Sequence, residues 1–253
     1  MLDLQYIIYV ELIVAFAAFA QGFTGLGFGI IAIAGIAFTP WDLERASVVT
    51  NILLIVLNCT IIYAGRKDSK IDWKLVGIIL AGESVGVPIG YWFIFTFGNR
   101  PVFRLVLGMV LLIFALHVLF RPSIRKKLHM AVGIAAGIAG GFFAGAFTAG
   151  GPPLALFVYS RQKNPADAKG TLQIVFMAAT LWRLFNIILF GKGVSLEVFR
   201  IAALSFPVVI IFAIMGYILT KHLSNETFLK IVYTLIGSAG VLNMLKGLLL
   251  MSP

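Results

Sequence analysis

The chain has 253 residues, 60% of them hydrophobic and only 12% charged, whereas a soluble domain carries roughly 25% charged residues. That balance excludes a water-soluble globular protein and identifies an integral membrane protein. Lys and Arg outnumber Asp and Glu by 20 to 10, but the basic residues sit in short gaps between apolar runs, which is the pattern of cytoplasmic loops and not of a nucleic-acid surface.

The amino-terminal MLDLQYIIYVE has no basic segment and carries Asp3 and Glu11, so the first apolar stretch is expected to stay in the protein as a membrane element. Residues 5–40 form one apolar run broken by QGFTGLGFG, Gln21 to Gly29. A span needs about 20 residues, so this run is too long for one plain crossing and too short for two, which predicts two helical pieces meeting at 22–29. A span follows from Ala46 to Gly65, holding Asn51 and Asn58, then the polar loop RKDSKIDWK. Leu75 to Phe97 is a span carrying Glu83, and the GNRP turn leads to a span from Phe103 to Phe120. The basic gap RPSIRKKLH marks the midpoint. Met130 to Ser160 is a second apolar run, broken by GAFTAGGPP, Gly145 to Pro153, and RQKNPADAK is expected to be a loop. Gly170 to Phe190 is a span with one charge, Arg183, and spans from Ile201 to Thr220 and Phe228 to Leu250 complete the chain. The single cysteine, Cys59, lies in an apolar run and forms no intrachain disulfide.

The second half repeats the order of the first. Phe23-Thr24 falls on Phe147-Thr148 and Gly27 on Gly151, while Gly90-Tyr91 falls on Gly216-Tyr217 with a small slip. The expected fold is therefore an all-α integral membrane transporter domain over 1–253, built as a two-fold internal repeat of 1–124 and 125–253. If both broken runs cross the membrane, the repeats are parallel and Lys and Arg divide 11 to 8 between the sides; if each turns back as a re-entrant hairpin, each half keeps three transmembrane helices, the repeats are inverted and the division is 13 to 6. The positive-inside rule favours the inverted arrangement.

The two breaks are the candidate site. Irregular backbone survives at membrane depth only where protein or a water-filled cavity satisfies it, and a helix restarting there offers free N–H groups and a dipole end of about +0.5 charge to an anion. Gly25, Gly27, Gly150 and Gly151 let an anion approach the backbone, and Thr24 and Thr148 offer hydroxyls at matching positions. The stripes Gly133, Gly137, Gly141, Gly145 and Gly82, Gly86, Gly90 are read as helix packing. Arg183, a charge at depth beside Trp182 and Asn186, has three readings: a fork onto an anionic substrate, a structural pair with Glu83, or a snorkel toward the interface near Lys192. Glu83 is the candidate for coupling to a proton, with a neutral hydrogen-bonded carboxyl as the alternative. Asn51 and Gln173 are candidate polar lining. His117, His129 and His222 are scattered, so no metal is expected, and no cofactor is called for. No G-x-S-x-G, H-E-x-x-H or phosphate-binding loop is present, which argues against an enzyme or an ATP-driven pump; an anion channel using the same helix ends stays open.

The glycine-rich breaks, GGFFAGAFTAGGPPLAL and QGFTGLGFGI, in a chain of two similar halves, resemble the sulfite exporter TauE/SafE family. The first half departs from the family's richest glycine patterns at Leu26 and Phe28. The resemblance implies a secondary transporter in the cell membrane for a small sulfur-containing anion such as sulfite, sulfoacetate or another organosulfonate. Its partners would be that anion, membrane lipid and a coupling proton or ion, with no nucleic acid; an oligomer is compatible with it.

Overall fold

The computed structural model describes residues 4–36, 43–98, 100–120, 128–190, 196–220 and 225–251. The predicted gaps at 37–42, 121–127, 191–195 and 221–224, with Asn99 of the GNRP turn, lie outside them. The described residues form eleven α-helices: α1 (Leu4–Thr24), α2 (Phe28–Ile36), α3 (Leu43–Gly65), α4 (Trp73–Phe97), α5 (Pro101–Leu119), α6 (Val132–Phe147), α7 (Gly151–Arg161), α8 (Pro165–Phe190), α9 (Leu196–Leu204), α10 (Phe206–Leu219) and α11 (Asn225–Leu249). Among the described residues four helices are long and apolar enough to cross a membrane, Gln5–Thr24, Arg45–Gly65, Trp73–Phe97 and Pro165–Phe190; α9 and α10, bent by 43° at Ser205, reach that length and apolarity only when taken together as one broken span.

Both broken runs fold back on themselves. In the first, Gly35 of α2 packs on Ile13 of α1, and the Tyr9 hydroxyl reaches the Gly35 carbonyl. In the second, Gly140 of α6 faces Leu154 of α7, Gly133 faces Phe157, and Arg161 donates to the Leu128 carbonyl at 2.7 Å. Each run is thus a helical hairpin and not a bent rod. The first hairpin turns through Gly25 (φ 85°) and Gly27 (φ 117°), conformations open to glycine and costly for other residues. The second turns through Thr148 (φ 53°), closed by a bond from the Ala149 N–H to the Phe143 carbonyl at 3.0 Å.

The segment RQKNPADAK differs from its reading as a loop. The Asn164 side chain caps the Ala166 N–H at 3.0 Å and Pro165 takes the first helical position, so α8 begins at Pro165 and carries Lys169 on its second turn. Polarity alone hid a capped helix start.

The glycine stripes bring helices together at backbone distance. A Cβ on Gly137 would fall 2.2 Å from the Ile79 carbonyl oxygen, and one on Gly90 2.1 Å from that of Phe142, so α4 and α6 touch backbone to backbone. The same is seen between α1 and α10, where a Cβ on Gly22 would fall 2.2 Å from the Ala213 oxygen and one on Gly216 2.2 Å from that of Phe19. Gly137→Ala is therefore expected to lower the melting temperature of the detergent-solubilised protein by several degrees, since overpacking costs about 1–3 kcal/mol; an unchanged melting curve would show that the seam yields freely.

α3 and α8 run antiparallel, with Ser47 beside Arg183 at one end and Ser69, just past α3, beside Gly170 at the other. α5 and α11 are antiparallel too, since Gly108 meets Gly240 and Leu105 meets Gly247. Large apolar side chains such as Ile89, Trp92, Ile188, Ile211 and Leu245 face outward. The interior holds a polar seam of Ser47, Asn51, Asn58, Gln21, Gln173, Thr180 and Arg183, all buried.

Candidate functional site

The two hairpin ends meet. The Thr148 hydroxyl lies 3.1 Å from the Gly29 carbonyl, and a Cβ on Gly29 would fall 1.9 Å from the Thr148 carbonyl oxygen. Leu26 packs beside Gly151. A cavity of about 40 Å³ lies at this junction, bordered by Gly27, Gly29, Asn51, Thr148, Gly150, Gly151, Thr180 and Arg183. It has room for about three waters at roughly 10–15 Å³ each.

Arg183 reaches the cavity from α8 and is 2% exposed. Its Nε donates to the Gly145 carbonyl at 2.8 Å, Nη1 to the Ser47 carbonyl and Asn51 Oδ1 at 3.3 Å each, and Nη2 to the Ser47 hydroxyl. A guanidinium has five N–H donors, so one on Nη2 remains beyond these partners. All four acceptors are neutral. Glu83 is not among them: it is buried at the α4–α6 seam beside Gly141, away from the cavity, and neither carboxyl oxygen has a hydrogen-bond partner among the described residues. With burial this deep Arg183 does not reach an interface; Lys192 lies outside the described residues.

The helix starts at the junction differ. In α2 the Gln21 Oε1 accepts from the Phe28 N–H at 3.0 Å, and the N–H groups of Gly29 and Ile30 follow in the open first turn. In α7 Pro152 and Pro153 have no N–H, leaving Gly151 as the donor of that turn.

The remaining predicted residues lie on the approach to the cavity. The Thr24 hydroxyl is spent on its own backbone, 2.8 Å from the Ala20 carbonyl and 2.5 Å from that of Leu26. Gln173 donates to the Gly25 carbonyl at 2.7 Å. Both border a vestibule of about 580 Å³, whose wall also includes Arg66, Asp68, Ser69, Asn164, Lys169 and Tyr217. Between vestibule and inner cavity stands a partition of side-chain amides: Gln21 Nε2 donates to Asn58 Oδ1 at 3.1 Å and to Gln173 Oε1 at 3.4 Å.

Four participants escaped the sequence reading of the site: Gln21, Ser47, Asn58 and Lys169. A signal was present. Ser47, Asn51 and Asn58 recur at four and seven residues on α3, and Lys169, Gln173, Thr180 and Arg183 at four, seven and three on α8, each set on one helical face. For metals, His222 and the side chain of His117 lie outside the described residues, and no group of three His, Cys, Asp or Glu gathers among the described ones.

A family model described as Sulfite exporter TauE/SafE matches residues 11–243. No curated protein and no solved structure matches.

Proposed function

Because the chain belongs to the sulfite exporter TauE/SafE family, a family of membrane transporters, we propose that it is a secondary transporter holding a small sulfur oxyanion between the two hairpin ends. The observation that carries this reading is Arg183, a buried guanidinium bonded only to neutral oxygens at the place where both breaks meet. A buried charge without a counter-charge is costly, and a visiting anion relieves that cost. Asn51, Thr148 and the backbone of Gly27, Gly150 and Gly151 complete the cradle; Thr24, Gly25 and Gln173 shape the way in. The 40 Å³ cavity suits a four-atom oxyanion such as sulfite and is tight for an organosulfonate with a carbon tail.

The reading includes an inverted two-fold repeat. Its support is the antiparallel run of α3 beside α8 and of α5 beside α11, as an axis in the membrane plane requires of equivalent helices. The α4–α6 contacts of Gly145 and Gly90 also have counterparts in those of Gly22 and Gly216 between α1 and α10. This correspondence sets Gly145 on Gly22 and the left-handed Thr148 on Gly25, one residue from the match suggested by Phe-Thr. In this arrangement the vestibule opens on the side of the loops at 66–72 and 162–164, which carries 13 Lys and Arg against 6 opposite and is therefore cytoplasmic. The anion then loads from inside, as an exporter needs. With Cys59 replaced, cysteines at Ser69 and Lys163 label from the same face under this topology and from opposite faces if the repeats are parallel.

Reconstituted vesicles test the function. Labelled sulfite uptake is expected to saturate and to be accelerated by unlabelled sulfite on the other side; flux showing neither belongs to a channel, the second reading, against which the closed amide partition already speaks. Glu83 is the coupling proposal: in the same vesicles Glu83→Gln is expected to remove the response to an imposed pH gradient, and an unchanged response would exclude it.

A further inference from the structure

Resting on Arg183 as the inner ligand, we propose that Lys169 forms a second, outer anion site in the vestibule, where an oxyanion such as sulfite is received before it passes the amide partition. Lys169 enters the vestibule wall from the second turn of α8. Its ammonium lies 2.5 Å from the Gly22 carbonyl and 3.3 Å from the Phe23 carbonyl, and 4.9 Å from the centre of the Tyr217 ring. No carboxylate pairs with it among the described residues. Asp68, on the same wall, accepts from the Tyr217 hydroxyl at 2.7 Å. The charge therefore rests on carbonyls at the end of α1, which carry only the partial charge of a helix terminus. An ammonium has three donors, and the third is available to an anion in the 580 Å³ space.

The position also connects the vestibule to the partition. The Lys169 stem packs on Gly25, where a Cβ would fall 2.9 Å from its Cγ, and Gly25 presents the carbonyl that receives Gln173. An anion that draws the ammonium off Gly22 and Phe23 thereby loosens the turn that anchors the partition. Lys169 and Arg183 lie 14 residues apart on one helix, about 21 Å at 1.5 Å per residue, so the two sites bracket the polar seam of α8.

Sidedness separates this role from a structural one. In vesicles of known orientation, Lys169→Met is expected to raise the KM for sulfite offered at the vestibule face at least tenfold more than at the opposite face. Lys169→Gln, which keeps an N–H for the two carbonyls but no charge, should do the same, and Lys169→Arg should restore most of the affinity. Equal KM changes on both faces, or a wild-type KM in the Gln variant, would overturn the outer site. Inactive Arg183→Lys beside wild-type Lys169 variants removes only the outer site, whereas normal transport by Arg183→Lys removes the reading on which it rests.

Discussion

Arg183→Lys is expected to lower sulfite kcat/KM at least a hundredfold while the protein still inserts and elutes as a single species. The guanidinium ties three elements together: Nε holds the end of α6 through Gly145, while Nη1 and Nη2 hold α3 through Ser47 and Asn51. A lysine offers a point charge with three donors and no planar fork, so it cannot keep these contacts and also face an anion. Two charge-assisted bonds at about 1.5–3 kcal/mol each exceed the 2.7 kcal/mol or so that a hundredfold change requires. Initial rates in vesicles, beside melting curves with and without sulfite, check this. Wild-type rates in the Lys variant would remove Arg183 from the site.

Gly29→Ala should be nearly as damaging, for a different reason. Its new Cβ would sit 1.9 Å from the Thr148 carbonyl oxygen, a clash between two backbones that no rotamer relieves. The hairpin ends must part, and with them the cradle at their junction. Transport is expected to fall below a tenth of wild type. Gly77→Ala is the matched control: a Cβ there meets nothing within 4 Å, so its rate should be unchanged. Full activity in Gly29→Ala would mean that the contact between the two ends is not needed.

Much of this arrangement was legible from residue type alone. Glycine and proline inside apolar runs mark helix breaks because their backbone costs are intrinsic, and both breaks lie where they were expected, at 25–27 and 148–150. Arg183 stood out because a charge in an apolar span has no inexpensive environment. That the two breaks touch was not legible, since Gly29 against Thr148 is a contact between positions 119 residues apart. The partition was missed for another reason: Gln21 and Asn58 are neutral amides, common in helix contacts, and only their shared geometry with Gln173 gives them a role. Lys169 was lost to the polarity of RQKNPADAK, where the Asn164 cap and Pro165 outweigh composition and start the helix four residues before it.

The central claim is that an oxyanion sits between the two hairpin ends within reach of Arg183. Selenite, a heavier analogue of sulfite, soaked into crystals and located by its anomalous signal, tests it most directly. A selenium peak at the junction of Gly29, Thr148 and Gly151, within hydrogen-bond distance of Arg183, is the expected result. A peak confined to the vestibule, or absent from the junction at saturating selenite, would contradict the account.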